Sequence, residues 1–415
     1  MPVERLSAGE LEQHVGDRPG ICVVGGSVAG TAAAQALRTK GYDGEIRLIE
    51  SEAQLPYDRP PLSKQVLQGG LDLPALQFQS TADWSRLGIT LSLGASVTEL
   101  DSGQRVLRLS DGSELRASGV VLAPGTESRP LPFPDEQARV RRLRTLEDAL
   151  VLRGSLRTAR SIVLVGAGFI GLEVAATAVR LGLDVTVVEL LPLPLAPAIG
   201  EVAAQRVCAA HRDGGVTLLT SRSVAEVRGD GRVSTVVLDD GRAIEADIVV
   251  AGVGVRPATG WLAGSGLELG DGIEADAYCR TSADLVYAAG DAARWHNPAF
   301  GARMRVEHWS TAREQGATAA ANLLGELRGQ GAARTPFTHV PYFWSDQLGM
   351  KIQHVGRILA GGRSEVEHDG DGALFVTHRL GDRLTGATTV NRPRDAMLSR
   401  RRISEECERL GPPNG

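Results

Sequence analysis

A glycine-punctuated pattern occurs twice in this chain and constrains the fold more than any other feature. The first copy, ICVVGGSVAG, runs from an apolar strand, Ile21–Val24, through a glycine turn into an alanine-rich helix predicted over 31–40. The strand IRLIE follows at Ile46–Glu50 and ends in an acid 20 residues beyond Gly30. The second copy, SIVLVGAGFIGLEVAATAVRLGLDVTVVEL, places Gly166, Gly168 and Gly171 in the turn and Glu189 at the end of the next strand. Strand, glycine turn, helix, strand and terminal acid form the βαβ unit that binds a dinucleotide. Glycine lets backbone amides approach the pyrophosphate, and the helix sets its positive end beneath the anion. Two copies imply two dinucleotides.

The repetition extends past the turns. Each copy is followed by an apolar-rich hairpin with an Asp-Gly turn and then a strand ending in glycine: Asp111-Gly112 before Gly125, and Asp240-Gly241 before Gly254 at the same spacing. An internal duplication is the simplest account. The first copy departs from the pattern at Ser27, which takes the middle glycine position between Gly25 and Gly30; serine is small enough to allow close approach. A further strand, LVYAAGD over 285–291, precedes a helical stretch over 311–327. Beyond about Gly331, the runs KIQHVGRI and ALFVTHRL, a Gly381-Asp382 turn and a charged helix from about Arg394 imply a third unit. At the other end, Ser7 and Glu10 read as the capping box of a short helix stopped by Pro19-Gly20. The expected fold class is α/β, with two Rossmann-like dinucleotide-binding domains and a C-terminal α+β domain.

Composition narrows the function. The 415 residues carry 45 Lys+Arg against 50 Asp+Glu, a net charge of −5, which argues against general nucleic-acid binding. Only three of those cations are lysines, Lys40, Lys64 and Lys351. The four cysteines, Cys22, Cys208, Cys279 and Cys407, form no CxxC or CxxxxC pair, so neither structural zinc nor a redox dithiol is expected, and no histidine cluster suggests a metal. No secretory signal or membrane span is read, and a cytoplasmic enzyme is expected. Glu189 is followed by Leu190, Leu191 and Pro192 with no arginine in reach. A carboxylate there accepts hydrogen bonds from ribose hydroxyls and repels a 2′-phosphate, favouring NADH over NADPH.

Seven strings, in order, carry a family resemblance across nearly the whole chain: PYDRPPLSK (56–64), RTLEDA (144–149), GFIGLEVAATA (168–178), AGVGVRP (251–257), AAGDAAR (288–294), VEHWSTAREQG (306–316) and FWSDQ (343–347). With them the sequence resembles the putidaredoxin reductase-like family of FAD-dependent NADH:ferredoxin reductases, which serve bacterial monooxygenases and dioxygenases. The resemblance implies a glutathione-reductase-like architecture: an FAD-binding domain from 1–122 and 254–330, an NADH-binding domain at 123–253, and a C-terminal interface domain at 331–415. It also implies FAD contacts at Gly25, Ser27, Gly30, Glu50, Lys64, Val97, Gly125, Arg144, Asp291 and Trp309. Ser51 or Glu52 could take the role of Glu50, and Pro124 departs from the family's Ala-Thr-Gly. NADH would be held by Gly166, Gly168, Ile170, Gly171, Glu189 and Gly254.

Lys64 and Glu173 are the implied catalytic constellation. The family pattern sets this lysine beside flavin N5 with the glutamate in reach; a cation there stabilises the anionic reduced ring, and the carboxylate aims it. The alternative is that Lys64 is a surface lysine after a Pro-Pro turn and Glu173 a helix-facing salt-bridge acid. Hydride transfer is the cofactors' own chemistry. With no thiol at 60–64 to take the electrons, the implied acceptor is external, an acidic iron-sulfur ferredoxin that supplies a cytochrome monooxygenase or Rieske-type dioxygenase. Arg303, Arg305 and Arg313 are candidates for its docking patch and Trp344 for the electron exit, although tryptophan in a small β domain is more often core. The 400–402 arginine run reads as a solvated helix face. Competing readings are a rubredoxin or quinone reductase, and an NADH-responsive interaction flavoprotein of apoptosis-inducing-factor type. A monomer or weak dimer is expected.

Overall fold

The computed structural model describes residues 19–131, 140–229 and 233–413, so the predicted capping box at Ser7 and Glu10 lies outside the described residues. The first glycine unit opens a five-stranded parallel sheet in the order Val286–Ala288, Gly119–Leu122, Ile21–Val24, Ile46–Glu50, Ile89–Leu93. Its central strands are buried along their whole length, as expected of a parallel sheet covered on both faces. The helix Val28–Thr39 begins three residues before the sequence suggested, with Ser27 as its N-cap. A second helix, Trp309–Leu327, lies against it. They approach so closely that a Cβ on Gly316 would stand 2.1 Å from the Ala29 carbonyl oxygen.

The second unit repeats this with four parallel strands, Val216–Thr220, Asp184–Glu189, Ser161–Val165 and Ile248–Ala251. Each parallel sheet carries a three-stranded antiparallel insert, Val97–Asp101, Val106–Leu109 and Glu114–Arg116 just before Gly119–Leu122 in the first, and Val224–Gly229, Ser234–Leu238 and Ala243–Ala246 just before Ile248–Ala251 in the second. Both inserts break register at the same place, between Val97 and Glu99 and between Val224 and Glu226. Sharing a bulge as well as a topology is strong support for the duplication. The two segments that link the units run side by side, Thr126–Ser128 pairing antiparallel with Val255–Pro257.

The remaining chain forms a five-stranded antiparallel sheet ordered Tyr342–Gln347, Met350–Gly356, Arg383–Val390, Ala373–Leu380, Arg363–Gly370, backed by the helix Pro393–Leu410. Ile352, Leu374, Val376 and Val390 extend the core of the second nucleotide unit into this sheet. Among the described residues, no helix is long and apolar enough to cross a membrane.

This third sheet buries histidines. His354 and His378 share the Thr388 hydroxyl at 2.9 Å each, and that hydroxyl donates at 2.9 Å to the carbonyl of Ile199 in the second unit. Burial lowers His308 and His378 to about 4 and His354 to about 3, from an ordinary 6.5. A base held neutral in the fold contributes stability above its unfolded pKa and loses it as pH falls toward the folded value, at up to about 1.4 kcal/mol per pH unit per group. The stability from urea unfolding is therefore expected to drop by a few kcal/mol between pH 7 and pH 5, with a shallower slope in His378→Asn. A flat profile would contradict this burial.

Candidate functional site

The C-terminal edge of the first sheet opens into a cleft of about 970 Å³, walled by segment 56–64, the outgoing linker and the third sheet. Gly25, Ser27, Glu50, Val97, Gly125, Arg144, Asp291 and Trp309 all face it, together with Lys64, Ile170 and Glu173. Gly30 does not, and its role is steric: a Cβ there would stand 1.8 Å from the Gly25 carbonyl oxygen. Gly25 itself adopts φ +98°, and a Cβ on it would meet the Ala123 carbonyl oxygen at 2.1 Å. The turn therefore needs glycine at both positions.

The second turn reproduces this geometry. Gly166 has φ +102° with its Cβ direction blocked 2.4 Å away by the Gly252 carbonyl oxygen, and a Cβ on Gly171 would reach the Gly166 carbonyl oxygen at 2.3 Å. The terminal acids match too. Glu50 accepts hydrogen bonds from the amides of Gly26 (2.6 Å) and Glu52 (3.0 Å), and Glu189 from those of Ala167 (2.7 Å) and Leu191 (2.8 Å). Each carboxylate thus clamps its own glycine turn. Of the alternatives to Glu50, Ser51 donates to the Glu50 carboxylate, and Glu52 is engaged by the Tyr57 hydroxyl and Arg59.

Gly166, Gly168, Gly171, Glu189 and Gly254 lie outside the wall of the large cleft, but the helix that the second turn launches does not. Phe169–Arg180 starts at its N-cap Gly168 and presents Phe169, Ile170 and Glu173 to the cleft. The first turn and the helix launched by the second therefore share one space. Glu173 meets Lys64 there at 2.8 Å, with side-chain exposures of 8% and 15%. Lys64 sits on a single π-helical turn, Leu62–Val66, after Pro60-Pro61. This is no exposed ion pair: the Ser63 hydroxyl donates to the second Glu173 oxygen at 2.5 Å and the Ser345 hydroxyl to the first at 2.5 Å.

Three further groups, two of them in PYDRPPLSK, join the site: two line the cleft and one stands behind Glu173. Asp58 accepts from the Trp309 indole at 2.7 Å, and burial holds its carboxyl above the usual range, only partly offset by that bond and by Lys64. Arg59 donates to the Arg144 carbonyl at 2.6 Å. Ser345 is the third, hidden in FWSDQ. Burial lowers the Arg144 guanidinium and raises the Asp291 carboxyl. Among the described residues nothing donates to that carboxylate, and the Ser27 side chain makes no cap bond. A glycine cradle at a helix start, a free hydroxyl and a carboxylate open to the cleft suit the pyrophosphate and polyol of FAD.

The acceptor edge differs from expectation. Arg303 shares Glu274 with Arg294, at 2.7 and 2.6 Å, whereas Arg305 pairs with both Glu307 and Asp271, at 2.7 and 3.2 Å, and presents no uncompensated charge. Arg313 instead lies over the Trp309 ring, 5.8 Å from its centroid. Trp344 lines the cleft rim, edge-on to Trp309 at 6.0 Å and stacked on Tyr342 at 5.9 Å. Arg401 and Arg402 pair along the helix with Glu405 and Glu406, but Arg400 turns inward over Tyr342 and donates to the Val340 carbonyl. All four cysteines are free and buried, and none lines the cleft; burial pushes Cys22 up to about 12 and Cys279 up as well.

The pyridine nucleotide-disulphide oxidoreductase family matches residues 19–316, and the reductase C-terminal domain matches 342–410. The chain belongs to this oxidoreductase family. Rhodocoxin reductase of Rhodococcus erythropolis is 36% identical over 389 residues, 93% of this chain and 90% of that protein. The ferredoxin–NAD(+) reductase component of the p-cumate 2,3-dioxygenase system of Pseudomonas putida is 34% identical over 400 residues, 95% of this chain and 96% of that protein. Among solved structures, the covalent putidaredoxin reductase–putidaredoxin complex aligns with a TM-score of 0.88 at 31% identity, covering 93% of each chain. The family resemblance read from the motifs and the two-Rossmann fold class both hold.

Proposed function

We propose that this chain is an FAD-dependent NADH:ferredoxin oxidoreductase of the cytoplasm, feeding an oxygenase through an acidic iron-sulfur ferredoxin. The observation that carries this reading is the shared cleft, where the helix launched by the second glycine turn brings Glu173 to Lys64 on the wall of the first. Bound FAD supplies the redox chemistry, taking a hydride from NADH and releasing electrons singly. The chain's own part is to hold the two rings together and to place charge at the reacting edge.

In this reading Gly25, Ser27 and Gly30 hold the FAD pyrophosphate, Glu50 its adenosine ribose, Asp291 its ribityl chain, and Val97, Gly125, Arg144 and Trp309 the rest of its length. Gly166, Gly168, Ile170, Gly171 and Gly254 frame NADH. The FAD domain comprises 1–122 and 254–330, the NADH domain 123–253 and the interface domain 331–415. Glu189 is already held by two backbone amides and so stands fixed at the strand end. A fixed carboxylate discriminates against a 2′-phosphate. Glu189→Ala is expected to reduce the NADH-over-NADPH ratio of kcat/KM about tenfold, the loss of roughly one charge-assisted hydrogen bond. Steady-state kinetics with both nucleotides checks this, and an unchanged ratio would remove Glu189 from the nucleotide site.

A further inference from the structure

Behind Glu173 the hydrogen bonding continues into the protein, away from the cleft. Gln347 Nε2 donates to Ser345 Oγ at 2.8 Å, and the buried ring of His211 meets Gln347 Oε1 through Nε2 at 2.9 Å. Ser345 and Gln347 alternate on the strand Tyr342–Gln347 and so share one face, while His211 belongs to the helix Glu201–Asp213 of the second nucleotide unit. The relative exposures are 1% for Ser345, 2% for Gln347 and 0% for His211. Burying three polar side chains in a row costs desolvation that apolar residues of similar size would avoid, so the row calls for a reason.

The donors all point the same way. A carboxylate has no proton to give, so Ser345 must donate to Glu173 and accept from Gln347. That commits the amide nitrogen of Gln347 to Ser345, with a weaker contact to the Phe169 carbonyl at 3.4 Å, and leaves its oxygen facing His211. His211 must then carry its proton on Nε2. Its Nδ1 is buried without a partner, and burial lowers the ring's pKa, both of which suit the neutral Nε2–H form. A carboxamide does not pass protons along such a row, so what the row transmits is orientation.

We propose that Ser345, Gln347 and His211 are positioning residues for the Lys64–Glu173 pair, a one-way chain of donors that fixes the Glu173 carboxylate and through it the direction of the Lys64 ammonium. The proposal rests on the reading that Lys64 stands at the flavin edge. It joins residues of all three units, because Lys64 lies between two strands of the first sheet, Glu173 and His211 belong to the second unit and Ser345 and Gln347 to the third.

The test uses the purified FAD-loaded protein with two readouts. The first is the midpoint potential of the bound flavin in Lys64→Met, Ser345→Ala, Ser345→Thr and Gln347→Leu. Lys64→Met is expected to lower it most. Ser345→Ala and Gln347→Leu should lower it in the same direction, each weakening the reduced form about tenfold, near 30 mV for a two-electron couple, and Ser345→Thr should restore it. If Gln347→Leu does not fold, Gln347→Glu replaces the donor with an acceptor and is expected to act in the same direction. The second readout is the ¹⁵N spectrum of selectively labelled histidine, which should show His211 protonated at Nε2. A potential that moves in Lys64→Met but not in Ser345→Ala or Gln347→Leu would overturn the relay while leaving the flavin-edge reading intact. A potential unmoved in Lys64→Met would overturn that reading and the relay's purpose with it. An Nδ1–H form of His211 would overturn the relay by itself.

Discussion

Replacing Lys64 with methionine is expected to slow reduction of the bound FAD by NADH about 10²-fold, the scale seen when one preorganised electrostatic donor is removed from a reacting centre. Methionine keeps the length of the side chain and removes only its charge. Ring-to-ring proximity, set by the walls of the cleft, survives, which is why the expected loss is not larger. Removing the ammonium also leaves Glu173, 7% exposed, with only its two serine donors. A lost partner in a buried pair costs about 3 kcal/mol or more, so the melting temperature should fall as well. Anaerobic stopped-flow absorbance of the flavin band measures the rate directly. A rate within twofold of the parent would remove Lys64 from the reacting edge and reduce its pairing with Glu173 to a structural contact.

The second large effect is an asymmetry between two equivalent glycines. Gly25 and Gly166 have nearly equal positive φ and similarly blocked Cβ directions, against the carbonyls of Ala123 and Gly252. Alanine at either must move backbone, at a cost of roughly 2–3 kcal/mol, or 10²-fold in affinity. The two sites should nevertheless fail differently. Gly25→Ala is expected to purify colourless, having lost FAD. Gly166→Ala should remain yellow and be bleached by dithionite, yet require at least about 10²-fold more NADH for the same rate of flavin reduction. Absorbance spectra of the purified variants, followed by NADH titration, separate the outcomes. Loss of FAD from Gly166→Ala with retention in Gly25→Ala would reverse the assignment of the two turns.

Much of this was legible in the sequence because the dinucleotide turn is a local device. Glycine spacing, the apolar strand before it and the acid after it are contiguous, and the structure repeats them down to a shared register shift in the two inserts. The helix begins at Val28, three residues before the predicted start, with Ser27 at the N-cap position as well as in the glycine slot of the turn. What the sequence hid was tertiary. Nothing near Arg303 or Arg305 in the chain reveals that Arg303 shares Glu274 with Arg294 or that Asp271 pairs with Arg305. Ser345 and Glu173 stand 172 residues apart, and their contact exists only because the third sheet closes over the second unit. Asp58 and Arg59 lie inside PYDRPPLSK, but their bonds to the Trp309 indole and the Arg144 carbonyl are tertiary.

The lysine count shows both sides of this. Lys64 forms the buried pair, while Lys351 lines a smaller cavity of about 370 Å³ on which Lys64 and Glu173 also border. Lys40 caps the end of the first glycine helix, its carbonyl held by Arg328. Scarcity alone marked all three, and geometry separates them.

Electrons from NADH are expected to leave this protein singly through an iron-sulfur partner. This is tested by the rate of cytochrome c reduction by NADH, with and without an added [2Fe–2S] ferredoxin and with a rubredoxin or a quinone in its place. Flavin reduction by NADH should be fast, and turnover should depend on the ferredoxin and saturate with it. A long-lived reduced enzyme that ignores the ferredoxin, or preferential turnover with rubredoxin or quinone, would contradict it.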